Sequence, residues 1–276
     1  MRPSEVLRLA TAYLERHGVE GPRASAELLL SQILGTDRAG LYTRAEGLSA
    51  SEARAYGRAL CRRCTGSPLQ HLTGRQQFRQ LDLVVRPGVF VPRPETEIVV
   101  EVALDAIADV REPVVVDVGT GTGAIALSMA QERPDATVYA TDLSRAAVRL
   151  ARQNADRLGL SLAASTGDLF TGIPAGLAGR VHVVVSNPPY VDPDELPALP
   201  DDVRADPEVA LVGGTEVHAR LVEESPAWLA PGGNVVVEIG AGQGAEVGEL
   251  FERRFTDVRV LPDLAGRDRV VAGRLP

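Results

Sequence analysis

The sequence predicts an α/β protein, a mostly parallel sheet covered by helices on both faces, preceded by a small helical bundle and a β-hairpin linker. Three observations predict it. From residue 114 onward, apolar runs of strand length alternate with runs of helix length, the pattern of repeated βα units. The first 65 residues carry only helical periodicity. Charge divides along the same line: residues 1–85 hold 12 Arg and 8 acids, a net of +4, whereas residues 86–276 hold 17 Arg and 29 acids, a net of −12.

From Ser4 to His17 the apolar residues Val6, Leu7, Ala10, Tyr13 and Leu14 recur at helical spacing, with Ser4 placed as N-cap and Gly18 just past the end. A second helix is expected from about Arg23 to Leu34, opened by Pro22 and closed by Gly35, and a third from about Ser51 to Cys64. Between Leu69 and Val91 short β-like runs take over, with Phe78, Leu81, Leu83 and Val85 spaced for a strand and Gly74, Pro87 and Gly88 as turn signals. A helix follows from Glu95 to about Ala108. Strands are then expected at Val114–Gly119, Thr137–Asp142, Ser161–Asp168, Val181–Ser186 and Asn234–Ile239, with short ones near Val258 and Val270. The intervening helices fall at Thr122–Glu132, Ser144–Leu158, Glu216–Leu229 and Gln243–Arg254. The stretch Val191–Gly214, rich in Pro and Asp, is too long for an ordinary connection and reads as a lid or substrate loop. The expected domains are therefore 1–66, helical; 67–91, hairpin linker; and 92–276, α/β.

Composition removes several chemistries. The 276 residues contain no lysine, so all 29 cations are Arg, and neither a Schiff-base lysine nor a phosphate-loop lysine is available. Cys61 and Cys64 have C-x-x-C spacing, but His17, His71, His182 and His218 are scattered, so nothing completes a four-ligand site and no metal is expected. No apolar run approaches the roughly 18 residues of a membrane span, and the first thirty residues lack a signal peptide's apolar core. A cytoplasmic protein is expected.

The expected first α/β strand ends in Asp117-Val118-Gly119-Thr120-Gly121-Thr122-Gly123-Ala124. Glycines at a strand-to-helix turn let backbone approach a ligand closely, and the helix N-terminus offers free N–H groups. Gly119, Gly121 and Ala124 also satisfy the dinucleotide pattern G-x-G-x-x-G/A, so NAD or FAD stands beside S-adenosylmethionine as the ligand. Asp142, 23 residues after Gly119, closes the next strand where an acid accepts ribose hydroxyls, or merely caps the helix that follows. Asp168 ends the third strand, where it could receive the adenine amino group, and Leu169 could pack on the base.

Asn187-Pro188-Pro189-Tyr190 decides between the ligands. It follows the apolar strand Val181–Val185, and in an open α/β sheet ligands sit at the carboxyl ends of strands, so it shares a crevice with the glycine turn. Two prolines stiffen the loop and remove two N–H donors, leaving carbonyls beside the Asn amide as acceptors. Such a loop suits a planar amino group, its N–H bonds held by the Asn187 oxygen and the Pro188 carbonyl while Tyr190 packs on its flat face.

With these residues the chain resembles the class I S-adenosylmethionine methyltransferases that act on planar nitrogens. Within them, S-P-L-Q-H-L-T-G at Ser67–Gly74, V-F-V-P-R-P-E-T-E at Val89–Glu97, D-V-R-A-D-P-E-V-A-L at Asp202–Leu211 and G-R-D-R-V-V-A-G-R at Gly266–Arg274 resemble the release-factor glutamine methyltransferases, the HemK/PrmC family. The resemblance implies a Rossmann-like catalytic domain with a seven-stranded sheet, a helical domain that helps hold the substrate, and transfer of a methyl group to the glutamine of the Gly-Gly-Gln motif in class I peptide chain release factors. It implies that Gly119, Thr120, Gly121, Thr122, Gly123, Asp142, Asp168, Leu169 and Asn187 line the S-adenosylmethionine site. Asn187, Pro188, Pro189 and Tyr190, with Arg93 and Glu97, are implied to hold the glutamine, and Asn187, Pro188 and Tyr190 to be catalytic. Leu169 departs from the family, where an aromatic often stands, and Gly214-Thr215-Glu216-Val217 departs from its Gly and Asp-Gly pattern. A monomer without membrane partners or direct nucleic-acid substrates is expected, with methylation of another planar nitrogen, in a ribosomal-protein glutamine or a nucleic-acid base, as the alternative.

Overall fold

A computed structural model describes all 276 residues, which form two compact units. The first comprises residues 1–75 together with 199–205, the second 76–198 and 206–276.

The helical unit contains α1 (Pro3–Arg16), α2 (Pro22–Leu34), α3 (Arg38–Thr43), α4 (Ala50–Cys64) and α5 (Leu69–Thr73). Its core is the apolar stripe expected of amphipathic helices: Leu7, Ala10 and Leu14 from α1 meet Ala26, Leu29 and Leu30 from α2, Leu41 from α3, and Tyr56 and Leu60 from α4. Two polar side chains inside this core are satisfied, with Tyr56 Oη donating to the Ala26 carbonyl at 2.9 Å and Glu27 receiving Tyr42 Oη at 2.5 Å and the Arg38 guanidinium at 2.8 Å. Two local expectations are corrected, and one helix is additional to them. Pro3 rather than Ser4 opens α1, because proline's fixed φ suits the first helical position and Glu5 reaches back to the Arg2 amide. The six-residue α3 escapes periodicity, being shorter than two turns. Leu69–Thr73, read as β-like, is one helical turn ended by Gly74 at φ 71°. Cys61 and Cys64 lie one turn apart on α4, and both are free thiols.

In the second unit, apart from Arg75, β1 (Arg75–Phe78) and β2 (Leu81–Val84) form a separate hairpin. Its turn is fastened by Arg79, whose N–H donates to Glu97 at 2.8 Å and whose guanidinium pairs with Glu132 at 2.5 and 2.7 Å. The remaining elements are α6 (Glu97–Ala106), β3 (Val114–Val118), α7 (Ala124–Glu132), β4 (Thr137–Asp142), α8 (Arg145–Leu158), β5 (Ala163–Thr166), β6 (Val181–Ser186), α9 (Asp201–Arg204, within the first unit), α10 (Glu216–Glu224), β7 (Leu229–Glu238), α11 (Gly244–Glu252), β8 (Thr256–Pro262) and β9 (Asp268–Arg274).

Seven strands make one sheet in the order β5-β4-β3-β6-β7-β9-β8, parallel except for β9, which runs antiparallel to both neighbours. Successive strand residues face opposite sides. Val115, Val183, Val185 and Val236 pack with Val99, Val100 and Ala103 of α6, with α7 and with the hairpin's Phe78, Leu81 and Leu83. Their neighbours Val116, Val184, Val235 and Val237 pack with Leu221 and Val222 of α10 and Val247 and Phe251 of α11. Both faces are covered, which is why these strands read as unbroken apolar runs. No helix of the structure is long and apolar enough to cross a membrane.

Candidate functional site

The chain order reverses between β3 and β6, and at such a switch the connections leave on opposite faces of the sheet and open a crevice at the strands' carboxyl ends. Val118 pairs with Ser186, so the residues that follow each strand stand level. A Cβ built on Gly119 would lie 3.9 Å from the Asn187 carbonyl oxygen. The glycine turn and the Asn-Pro-Pro-Tyr loop therefore share one crevice.

The turn is shaped by its glycines and by two carboxylates. Gly119, Gly121 and Gly123 have φ of 76°, 56° and 86°, a region that residues with a side chain rarely adopt. A Cβ at Gly123 would press on Leu127 at 3.0 Å and Ala151 at 3.2 Å, whereas at Gly121 it would enter open space. Gly123 is thus required for helix packing, and Gly121 leaves room for a ligand. Asp142 accepts Gly121 N–H on Oδ2 at 2.9 Å and Ser144 N–H on Oδ1 at 2.8 Å, fixing the turn from β4. Asp117, wholly buried beneath the turn, accepts Thr120 Oγ1 at 2.7 Å and Ala126 N–H at 3.1 Å through Oδ2 alone, while Oδ1 has no partner. Burial pushes its pKa up to about 7 against the pull of those two donors, and burial likewise raises Asp142. Asn154 on α8 accepts Val84 N–H at 2.8 Å and donates to the Val84 and Thr122 carbonyls at 3.0 Å, joining the hairpin to the turn.

At the third strand's end, Asp168 is half exposed and holds Arg220 through two bonds of 2.9 and 3.2 Å, so its carboxyl reaches the rim already paired. Leu169 takes a left-handed φ of 44°, anchored by Thr141 Oγ1 on its carbonyl at 2.5 Å, and its side chain is buried in the core with Phe170. Leu143, beside Asp142, is 62% exposed, and nothing in the string Thr-Asp-Leu-Ser distinguishes it from a core leucine.

The second loop is held from three sides. Asn187 Nδ2 donates to Thr96 Oγ1 at 3.1 Å, Tyr190 Oη donates to Glu238 Oε1 at 3.2 Å, and Gln243 Nε2 donates to the Tyr190 carbonyl at 2.9 Å. Burial raises the Tyr190 phenol, so it stays protonated and a donor. Gly213 passes so near Pro189 that a Cβ would lie 2.4 Å from its carbonyl oxygen. Gly213→Ala should therefore displace the loop and lower turnover by roughly tenfold or more, with cofactor affinity unchanged; steady-state rates beside a binding titration check this.

Arg93 and Glu97 have internal partners rather than free ends. Arg93 pairs with the buried Asp206 and lies 5.2 Å over the Phe90 ring, and Asp206 also receives Val91 N–H at 3.2 Å. Glu97 is engaged by the Arg79 amide. Val191–Gly214 closes on itself at its base, where Val191 N–H donates to the Leu211 carbonyl at 2.8 Å and Gly213 N–H to the Val191 carbonyl at 3.1 Å.

The model of the PrmC N-terminal domain matches residues 5–74, and that of the methyltransferase small domain matches residues 80–199. A release factor glutamine methyltransferase of Moorella thermoacetica is 41% identical over 96% of this chain and 95% of its own length, and one of Burkholderia pseudomallei is 42% identical over 91% of each. The chain belongs to the release factor glutamine methyltransferase family. Among solved structures, a 16S rRNA N2 methyltransferase of T. thermophilus in complex with AdoMet and guanosine superposes with a TM-score of 0.55 at 20% identity, over 73% of this chain and 50% of that one, which shows the shared fold. This methyltransferase carries residues that fit S-adenosylmethionine: a positive-φ turn with open space at Gly121 and an acid, Asp142, at the end of β4.

Proposed function

We propose that this methyltransferase transfers the methyl group of S-adenosylmethionine to the side-chain amide nitrogen of the glutamine in the Gly-Gly-Gln motif of class I release factors. The observation that carries it is the meeting of the glycine turn and the Asn-Pro-Pro-Tyr loop in one crevice, in a chain alike end to end with proteins named for that substrate. The bound cofactor supplies an activated sulfonium methyl, so the protein's task is orientation. Asn187 Oδ1 and the Pro188 carbonyl accept the two amide hydrogens, and Tyr190 covers the amide plane. Holding nitrogen, carbon and sulfur in line is worth about 7 to 11 kcal/mol. Acceptors on both hydrogens favour the positive charge that develops on nitrogen, and the proton leaves after transfer, when the alkylated amide is strongly acidic.

The helical unit, residues 1–66 in this reading, helps dock the release factor, and 67–91 links it to the catalytic domain. The net charge of −12 over residues 86–276 favours a protein over a nucleic-acid substrate. A monomer working in the cytoplasm fits a chain whose crevice is built from its own residues.

The test is peptide mass spectrometry of an unmethylated release factor incubated with the protein and S-adenosylmethionine. One added methyl on the Gly-Gly-Gln glutamine is expected; none, with cofactor bound, would move the assignment to another planar nitrogen. Asp142→Asn should weaken cofactor binding by roughly 10- to 100-fold, the worth of a hydrogen bond to a charged group, measured by calorimetry with S-adenosylhomocysteine.

A further inference from the structure

The peptide that joins Tyr190 to Val191 is held at both its ends. Its N–H donates to the Leu211 carbonyl at 2.8 Å, and its carbonyl, on Tyr190, accepts Gln243 Nε2 at 2.9 Å. The other end of the same side-chain amide, Gln243 Oε1, accepts the Gly240 N–H at 2.8 Å, while the Gln243 N–H donates to the Gly240 carbonyl at 2.9 Å, so the side chain leaves a turn closed from both sides. Gln243 stands at the N-cap of α11 yet makes no side-chain bond to that helix's own amides. Its side chain serves the neighbouring loop instead. Gly240 completes the corner, since a Cβ built there would lie 3.0 Å from Gln243 Oε1 and 3.5 Å from Cδ2 of the Tyr190 ring.

We propose that Gln243 is a positioning residue for the methyl transfer, its side-chain amide tying the connection after β7 to the Tyr190 carbonyl and so setting the tilt of the Tyr190 ring over the substrate amide. The inference rests on Tyr190 covering that amide. Proline rings fix φ at residues 188 and 189, which concentrates the loop's remaining freedom at Tyr190. Held by its N–H alone, the Tyr190–Val191 peptide would rock about that one bond and carry the Tyr190 Cα and ring with it. The bond from Gln243 to the carbonyl stops the rotation. The far end of the ring is anchored on the same connection, because Tyr190 Oη donates to Glu238 Oε1 at 3.2 Å.

Few side chains can do this. A backbone carbonyl only accepts and a backbone N–H only donates, so the group that joins them must present a donor and an acceptor side by side. A carboxylate lacks the donor, and a guanidinium lacks the acceptor. The two ends of an amide are told apart by their partners, and here both partners have fixed polarity: Nε2 faces the Tyr190 carbonyl and Oε1 the Gly240 N–H. Gln243 thus acts on the substrate only through Tyr190. The glycine turn and Asp142, proposed for the cofactor, lie on other elements.

The test uses full-length Gln243→Glu, which keeps an acceptor for Gly240 but sets its second oxygen against the Tyr190 carbonyl, and Gln243→Met, which has similar length and neither group. Calorimetry with S-adenosylhomocysteine gives affinity and the fraction of molecules that bind, and kcat on unmethylated release factor is counted per binding molecule. Gln243→Glu should lose roughly 10- to 100-fold in kcat, the scale of a misplaced reacting group, and Gln243→Met less. Cofactor affinity and KM for the release factor should stay within about threefold, and in a Tyr190→Ala background Gln243→Glu should cost less than about threefold further, because the ring it positions is gone. A role confined to holding α11 would lower the thermal midpoint and leave kcat per binding molecule unchanged. Parent-like kcat in both Gln243 variants overturns the proposal, and so does a loss of undiminished size in the Tyr190→Ala background. If Gln243→Glu fails to bind cofactor, Gln243→Met decides by the same criteria. Asn187→Ala separates the two levels: activity there removes the assignment of the loop itself, whereas an inactive Asn187→Ala beside parent-like Gln243 variants removes only the role of Gln243.

Discussion

Asn187→Ala should abolish measurable methylation, a loss on the order of 100- to 1000-fold or more, while cofactor affinity changes by no more than a few fold. Its side-chain nitrogen is held on Thr96 Oγ1 at 3.1 Å, which leaves the amide oxygen as the acceptor proposed for the substrate. The adjoining backbone is stiffened by two prolines and tied down by Gln243, so truncation removes an acceptor without loosening the loop. The cofactor contacts proposed for the glycine turn and Asp142 lie on other elements and should persist. The measurement pairs single-turnover methylation with calorimetric binding of S-adenosylhomocysteine. Loss of both together would mean that Asn187 supports the glycine turn, whose Gly119 lies beside its carbonyl, rather than the substrate.

The parts of the molecule legible from sequence are those whose cause is local. β4 and β6 run over the residues that their apolar patterns mark, because each is a buried strand bounded by turn residues. Gly119–Gly123 and Asn187–Tyr190 carry their backbone behaviour in their own composition, so both motifs stood out and the fold brought them together. What stayed hidden depends on distant partners. Thr96 is 91 residues from Asn187 and Glu238 is 48 from Tyr190, and no periodicity encodes such pairings. Glu238 reads as a strand-end acid, and Gln243, which holds both Gly240 and Tyr190, as an ordinary helix-start residue. Short runs mislead in another way: Leu-Gln-His-Leu-Thr at α5 is one turn, too short for helical and strand spacing to differ. Leu169 has a left-handed φ and a buried side chain, neither of which its place after Asp168 announces.

Asp117→Asn should stabilise the protein above neutral pH and leave it unchanged near pH 5. The native carboxyl titrates at about 7, against 3.8 in an unfolded chain. Between those values the folded protein keeps a proton that the unfolded chain has lost, so this group's contribution falls as pH rises through that window and is flat above it. Each pH unit of the window is worth about 1.4 kcal/mol, which makes the buried charge a cost of several kcal/mol at pH 8. The isostere fits because Oδ2 receives both Thr120 and Ala126 while Oδ1 has no partner, so an amide oxygen in the place of Oδ2 keeps both bonds. The orphaned NH2 reclaims about 1 to 3 kcal/mol of the gain. Urea denaturation from about pH 5 to 8 would read a parent-minus-variant gap that opens through neutrality; a gap independent of pH would mean that Asp117 is already ionised throughout. A cost of that size is tolerated at a functional site when the charge has a use, and a carboxylate beneath the turn attracts a ligand that carries sulfonium and ammonium groups. The same variant should therefore bind S-adenosylmethionine less tightly than the parent at pH 8, with the difference shrinking toward pH 5 as the parent's own charge is lost.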